Sequence, residues 1–297
     1  MKMIVLLALL LGSSHVFAEL APLKFGVGLF QPDKEKNDAT YKPLADYLAR
    51  ELKRPVELKT VDTWEGLAKS IAAGETDIAL MGPWGYVLAN NEAGAEAVAT
   101  ILYDGKPEYY AIIVTHPNSG ITKTEQLKGK TFAFGDKGST SGYLIPFHYF
   151  QKTFSVKEPE EFFSKVLYTK HQAIETQVTA GELDAGADYN RNRNAMIEQG
   201  LIDEKKSVII WTSSPLPNDA MAVSAELKKD KKFVASLQKA LENVGKELKT
   251  NTALLPAHYT GFVKKDNTFY RPIKEAGLAT GKLVPVSYTH LTLPTKA

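Results

Sequence analysis

Apolar and polar positions along this chain alternate between two periods. Leu23 to Leu29 is a nearly unbroken apolar run that predicts a first strand buried on both faces. The polar stretch Phe30 to Asn37 reads as a loop, and Tyr41 to Arg54 as an amphipathic helix with Leu44, Tyr47, Leu48 and Leu52 at helical spacing. Val56 to Val61 returns to strand alternation. Trp64, Leu67, Ala68 and Ile71 mark a second helix closed by Gly74, and Asp77 to Met81 is the next strand, leading to a loop at Gly82-Pro83-Trp84-Gly85. Further along, Lys130 to Phe134 reads as a strand and Tyr143 to Phe150 as a helix. A long helix carries Phe233, Leu237, Leu241, Val244 and Leu248 on one face and lysines and glutamates on its solvated side. Strands alternating with helices predict an α/β fold, its parallel-rich sheet covered on both faces.

The pattern also repeats. Ile71-Ala72-Ala73-Gly74-Glu75-Thr76-Asp77 returns as Val178-Thr179-Ala180-Gly181-Glu182-Leu183-Asp184, each a helix end, a glycine cap and the start of a strand. In that register Trp64 and His171 both stand ten residues before their glycine, and the loop at Gly82 corresponds to Tyr189-Asn190. The chain therefore reads as two lobes of similar plan. Two extended apolar segments, Glu108 to Thr115 and Ala220 to Ser224, are the expected hinge crossings.

Between a strand and a helix lies Gly135-Asp136-Lys137-Gly138-Ser139-Thr140-Ser141-Gly142. A glycine turn opening a helix gathers backbone N–H groups, the positive end of a helix dipole and here three hydroxyls, a combination suited to an oxyanion. A simple helix cap would need only one of those hydroxyls. Other phosphate and nucleophile motifs are excluded. Thr140 stands where a nucleophile elbow needs serine, Thr124 where a P-loop needs its first glycine, and Gln31 where a dinucleotide fingerprint needs its third.

At the amino end, Lys2, an apolar run from Ile4 to Leu11 and Val16-Phe17-Ala18 form an expected secretory signal, residues 1–18. That run is far short of the roughly 20 residues of a membrane span. The chain has no cysteine, which excludes disulfides and thiolate metal sites and argues against a lipoprotein anchor. The expected compartment is the periplasm. Residues 286–297, beginning Val286-Ser287-Tyr288-Thr289, break the preceding periodicity and read as a translated sequencing adapter. Lys2 and Lys296 carry the whole formal charge of +2, so the chain between those ends is neutral. Neutrality gives no general attraction to nucleic acid or anionic membrane, and anion selectivity must be local.

Ligands of two-lobed α/β proteins sit outside the carboxyl ends of the strands, where loops of both lobes meet. That geometry collects Trp64, Tyr109, Ser139, Thr140, Ser141, His171 and Asp219. Together with Ser139-Thr140-Ser141-Gly142-Tyr143-Leu144-Ile145-Pro146, Asp104-Gly105-x-Pro107-x-Tyr109, Asp77-Ile78-Ala79 and Pro215-Leu216-Pro217-Asn218-Asp219, this set resembles the periplasmic phosphate-, phosphite- and phosphonate-binding proteins of ABC importers. The resemblance covers nearly the whole chain between its two ends. It implies a type II periplasmic binding fold with lobe 1 at 19–112 plus 222–285 and lobe 2 at 113–221, working as a monomer without cofactor or metal. It also implies a membrane permease as partner.

On the same resemblance, Ser139, Thr140 and Ser141 bind phosphoryl oxygens and His171 donates to another, an anion beside it favouring the imidazolium. Tyr109 supplies a phenol from the hinge, and Trp64 an indole where the family often has tyrosine. Asp219 accepts a hydrogen from the ligand, which would exclude sulfate. Where aminophosphonate binders of the family place a second carboxylate, this chain has Asp188 to Arg191. Arg191 is basic, leaving Asp188 as the candidate substitute. Two other readings of the chain stand beside transport: a hydrolase using Ser141, His171 and Asp219, and a sensory binding module of the same fold.

Overall fold

The computed structural model describes residues 21–284 except 29 and 32, so the expected leader and the unusual carboxyl end lie outside the described residues. The chain begins with β1 (Leu23–Gly28), α1 (Lys34–Leu52), β2 (Val56–Val61), α2 (Trp64–Ala72), β3 (Ile78–Met81), α3 (Pro83–Ala93) and β4 (Glu96–Tyr103). β1 pairs in parallel with β2 on one side and β3 on the other, which is why its sequence is apolar rather than alternating.

Two expected loops are helical. Asp33 caps α1 by accepting from Lys36 N at 2.9 Å, so the helix starts at Lys34 rather than Tyr41. Its polar first turns face solvent, and only Asn37 among them is fully buried. Asn37 Oδ1 accepts from Phe30 N at 3.0 Å and Gln31 N at 3.2 Å, while its Nδ2 donates to Gly28 O at 3.1 Å and Thr60 Oγ1 at 2.8 Å. One side chain thus fixes the exit from β1. At Gly82-Pro83-Trp84-Gly85 the chain turns directly into α3, because Pro83 occupies the first helical position where its missing N–H costs nothing.

A short β5 (Glu108–Tyr109) leads to β6 (Ala111–Thr115), β7 (Thr131–Phe134), α4 (Ile145–Phe154), β8 (Lys165–Tyr168), α5 (His171–Thr179), β9 (Ala185–Tyr189), α6 (Asn190–Glu198) and β10 (Val208–Thr212). The chain then returns through β11 (Leu216–Pro217) to β12 (Ala220–Val223), α7 (Lys231–Glu247), β13 (Tyr259–Val263) and α8 (Arg271–Ala279).

Two sheets result, ordered β13-β4-β12-β3-β1-β2 and β10-β6-β9-β7-β8. Taken from the β2 and β8 edges they are wired alike, β12 and β6 each running antiparallel in fourth place. β5 and β11 pair antiparallel as a separate two-stranded ribbon. The crossings run through that ribbon: β5 is the first two residues of the expected segment Glu108 to Thr115, and β11 lies a few residues before Ala220 to Ser224. Ala111–Thr115 and Ala220–Val223 are instead fully buried core strands, which accounts for their unbroken hydrophobicity.

Each sheet is covered on both faces. α1 and α7 pack on one face of the first through Leu44, Leu48, Leu237, Leu241 and Val244, and α2, α3 and α8 cover the other through Leu67, Ile71, Trp84 and Ile273. Each of these buried aliphatic side chains stabilises the fold by about 1.5–3 kcal/mol. The second sheet holds α4 through Phe132, Phe134, Phe147 and Phe150, and α5 through Ile174 and Val178. The matching turns after α2 and α5 both rest on a left-handed glycine, Gly74 at φ 71° and Gly181 at φ 75°. This is the mixed α/β, two-lobed type II architecture.

Candidate functional site

The loop after β7 is drawn shut by Gly135 N donating to Gly142 O at 2.8 Å. Neither glycine has room for a side chain. A Cβ on Gly142 would stand 2.8 Å from His171 Cε1 and 2.9 Å from Gly135 Cα. Ser139 then caps the following turn, its Oγ accepting from Gly142 N at 3.0 Å. That turn is not α-helical. Leu144 N reaches back to Ser139 O at 3.0 Å, making Thr140–Leu144 a π-helical turn that runs into α4. The wider turn keeps Ser139, Thr140 and Ser141 close together and almost wholly buried.

All seven side chains collected from the sequence line one cavity of about 520 Å³. Trp64 and His171 open α2 and α5 and so occupy equivalent places in the two halves. Trp64 lies edge-on to Phe30, ring centroids 4.9 Å apart, and a Cβ on Gly138 would stand 2.8 Å from its Cβ. The start of α2 thus packs directly against the loop at Gly138, while the indole ring lies over Gly28. Thr140 Oγ1 accepts from Trp84 N at 2.8 Å, capping α3 from the opposite sheet and leaving its own proton to donate.

His171 sits in a chain of bonds. Its Nδ1 is 2.7 Å from Asp188 Oδ1, its Nε2 is 3.2 Å from Ser139 Oγ, and its ring stands edge-on to Tyr189. Burial lowers its pKa to about 4 against the opposing pull of Glu175 and Asp136, so the protein's own groups hold a neutral imidazole at pH 7. Burial thus opposes the imidazolium that a bound anion is expected to favour. The Tyr109 phenol is pushed well up by burial, then by the Asp219 charge, with the Ser141 and Thr140 hydroxyls opposing. It remains a neutral donor. Burial raises the Asp219 carboxyl to about 6 against the attraction of Arg191.

Asp188 is not available to a ligand. It is fully buried behind His171, its Oδ2 accepting from Asn192 Nδ2 at 2.9 Å, so it cannot serve as the second carboxylate of an amine site. Ser141, His171 and Asp219 are not joined as a nucleophile, base and orienting acid, since His171 bonds Ser139 and Asp188.

Arg191 does reach the cavity wall. It donates to Glu108 O at 3.1 Å and to Asn218 Oδ1, and its guanidinium lies 4.4 Å from the Tyr103 ring centroid and 5.1 Å from that of Tyr109. A buried cation from α6 thereby holds both strands of the ribbon region beside Asp219. Phe30, Tyr168, Tyr189 and Tyr259 complete the aromatic wall and were not among the seven residues collected from the sequence. The internal register pointed at Tyr189. Tyr259 comes from the far edge strand β13, where no local pattern marks it.

Residues 29–270 match the family model described as ABC transporter, phosphonate, periplasmic substrate-binding protein. The chain belongs to this family. It is 22% identical over 218 residues to the phosphonates-binding periplasmic protein of Escherichia coli, covering 72% of this chain and 64% of that one. It is 26% identical over 199 residues to the phosphate-import protein PhnD of Mycolicibacterium smegmatis, covering 64% and 62% respectively. The match thus spans less than two thirds of either curated relative. The fold is that of PhnD1 from Prochlorococcus marinus, solved in complex with methylphosphonate, at a TM-score of 0.76, 20% identity and coverage of 88% and 98%. Among the described residues no helix is long and apolar enough to cross a membrane, and no cluster of acidic or histidine side chains could hold a metal ion.

Proposed function

We propose that this member of the family is the periplasmic binding component of an ABC importer for a phosphorus oxyanion: a phosphonate, phosphite or phosphate. The reading rests on the Ser139-Thr140-Ser141 turn, whose hydroxyls and backbone N–H groups converge on a cavity between two hinged halves, with family membership beside it. Ser139, Thr140 and Ser141 hold phosphoryl oxygens, Tyr109 donates a phenolic hydrogen, and His171 and Asp219 stand where a P–OH group can be met by an acceptor. Trp64 closes the other side. The halves, divided at the β5/β11 ribbon, swing about it, and the closed form is what the membrane permease recognises. A leader cleaved after Ala18 delivers the protein, and it works as a monomer.

The deciding measurement is a thermal-shift panel of phosphate, phosphite, methylphosphonate, 2-aminoethylphosphonate and sulfate. A ligand at about 100 times its dissociation constant adds roughly 2.7 kcal/mol, enough to raise the midpoint by several degrees. We expect that for at least one phosphorus compound and not for sulfate. Ser139→Ala, which removes one charge-assisted bond, should weaken that compound by about tenfold to a hundredfold. No shift with any of the five would refute the assignment.

A further inference from the structure

Behind the ligand-facing imidazole lies a carboxyl group that the site does not use. Glu175 sits one helical turn after His171 on α5 and is completely buried, as is Asp188 on β9. Glu175 Oε2 accepts from Ser207 Oγ at 2.8 Å, and that oxygen itself accepts from Arg193 Nε at 3.1 Å. Glu175 Oε1 finds no hydrogen-bond partner among the described residues. The neighbour within hydrogen-bonding reach of this carboxyl is itself acidic, Asp188. Two buried carboxylates in contact cannot both be charged, and an oxygen without a donor is costly in the same measure. A single proton on Glu175, donated to Asp188, resolves both.

That assignment fixes the direction of every bond that follows. Asp188, ionised, accepts from Glu175, from Asn192 Nδ2 at 2.9 Å and from His171 Nδ1 at 2.7 Å. His171 therefore carries its proton on Nδ1, and Nε2 presents a lone pair. Ser139 Oγ, 3.2 Å away, already accepts from Gly142 N, so its own proton points at Nε2. Lys137 and Lys170 line the same cavity as His171. Arg193 of α6 faces Glu175 and Asp188, and Asp136 from the loop after β7 faces His171. Arg193 is largely occupied by Ser207 O at 2.6 Å and Glu204 O at 3.3 Å. Burial drives both the Glu175 and Asp188 carboxyls upward, in agreement with a shared proton.

We propose that Glu175 is a positioning residue held as the protonated acid, and that through Asp188 it keeps His171 Nε2 an acceptor, so that the site takes its oxyanion together with one proton. The proton sits between Nε2 and a phosphoryl oxygen, and its arrival releases the Ser139 hydroxyl to bond the ligand. The substrate class is an oxyacid with an ionisable P–OH, such as phosphite or an alkylphosphonate, in preference to phosphodiesters and sulfate. This rests on the oxyanion reading above.

Two experiments separate the two ideas. In the ligand-free protein labelled with ¹⁵N-histidine, His171 should show a protonated Nδ1 and a bare Nε2 at pH 7, and infrared spectra should show a protonated carboxyl band that Glu175→Gln removes. A proton on Nε2 in that state, or no such band, overturns the proposal whatever the ligand is. Calorimetry with methylphosphonate above its second pKa, in buffers of different ionisation heat, should then show uptake of one proton, which below that pKa arrives with the ligand. Above the ligand's second pKa, affinity should fall by about tenfold per pH unit. Glu175→Gln keeps a donor to Asp188 and should keep this profile. Glu175→Ala makes Asp188 a stronger acceptor, pre-charges His171 and should reduce the uptake measured in that range. Equal uptake in both variants, or uptake abolished by Asp219→Asn, would assign the proton elsewhere and overturn the proposal. If neither methylphosphonate, phosphite nor phosphate gives heat, the oxyanion reading fails while the tautomer measurement still decides the chain.

Discussion

Thr140 shows how one hydroxyl can serve two structures. It accepts from Trp84 N at the start of α3 while belonging to the loop of the other sheet, and its own hydroxyl reaches the Tyr109 phenol beside the cavity. Replacing it with valine keeps the shape and removes both bonds. Loss of the cap should cost about 0.5–2 kcal/mol of stability, read by urea denaturation, and ligand affinity should fall by at least tenfold. Thr140→Ser should restore most of both. If valine leaves the affinity untouched, Thr140 is only a cap. The serines and threonine of this loop were legible because three adjacent hydroxyls exceed what capping requires. Arg191 was read as a departure from the family's pattern, and nothing in its neighbourhood revealed that it would lie over Tyr103 and Tyr109, which come from another part of the chain.

Among elements, the π-helical turn is the one that sets the geometry of the cavity. Its tight closure depends on Gly142, where even a methyl group would press on His171 and on backbone at Gly135. Gly142→Ala should therefore destabilise the protein by about 1–3 kcal/mol and largely abolish ligand binding in calorimetry. Near-normal affinity would mean that the loop can relax without losing its hydroxyl arrangement. The turn's helical beginning was visible in the sequence, but its widened hydrogen bonding was not, because apolar spacing over so few residues does not distinguish one helix type from another. The same limit explains α1. Its first turns carry almost no apolar side chains, so the periodicity began only at Tyr41, although Asp33 and the buried Asn37 start the helix earlier. The segments expected to make the crossings took in core strands for a related reason. Apolar continuity marks core strands such as β6 and β12, whereas the ribbon that crosses is too short to have a pattern.

Across the whole molecule, the repeated helix end at Gly74 and Gly181 was enough to anticipate two similar halves, and the common strand order agrees with it. Contacts between the halves depend on tertiary approach. His258, ahead of β13, lies 3.2 Å from Asp104 Oδ1 and 3.1 Å from Glu198 Oε2 at the end of α6. The Asp104 hydrogen bond leads in raising its pKa, with burial opposing and Glu198 adding to the rise. A raised imidazole contributes below its ordinary pKa and loses that contribution as pH rises through the shifted value. This bridge should therefore favour closure in mildly acid medium. Because the pair is exposed, the effect should be no more than about fivefold in the closure equilibrium. Small-angle scattering of ligand-free protein should show a slightly larger radius at pH 8.5 than at pH 5.5, with His258→Ala indifferent to pH. An equal response in the variant would remove the bridge from the closing mechanism.

The position of β12 bears on how the chain acquires its shape. It lies between β3 and β4, yet it is made more than a hundred residues after either. Until it and β13 arrive, β4 has no strand partner and β3 has one border open to mispairing. The intervening sheet, β6 to β10, is a continuous stretch with all its strands present and can consolidate alone. Renaturation should accordingly proceed in two stages, the middle segment first and the outer pair of segments afterwards, with the slow step belonging to the insertion of one short central strand.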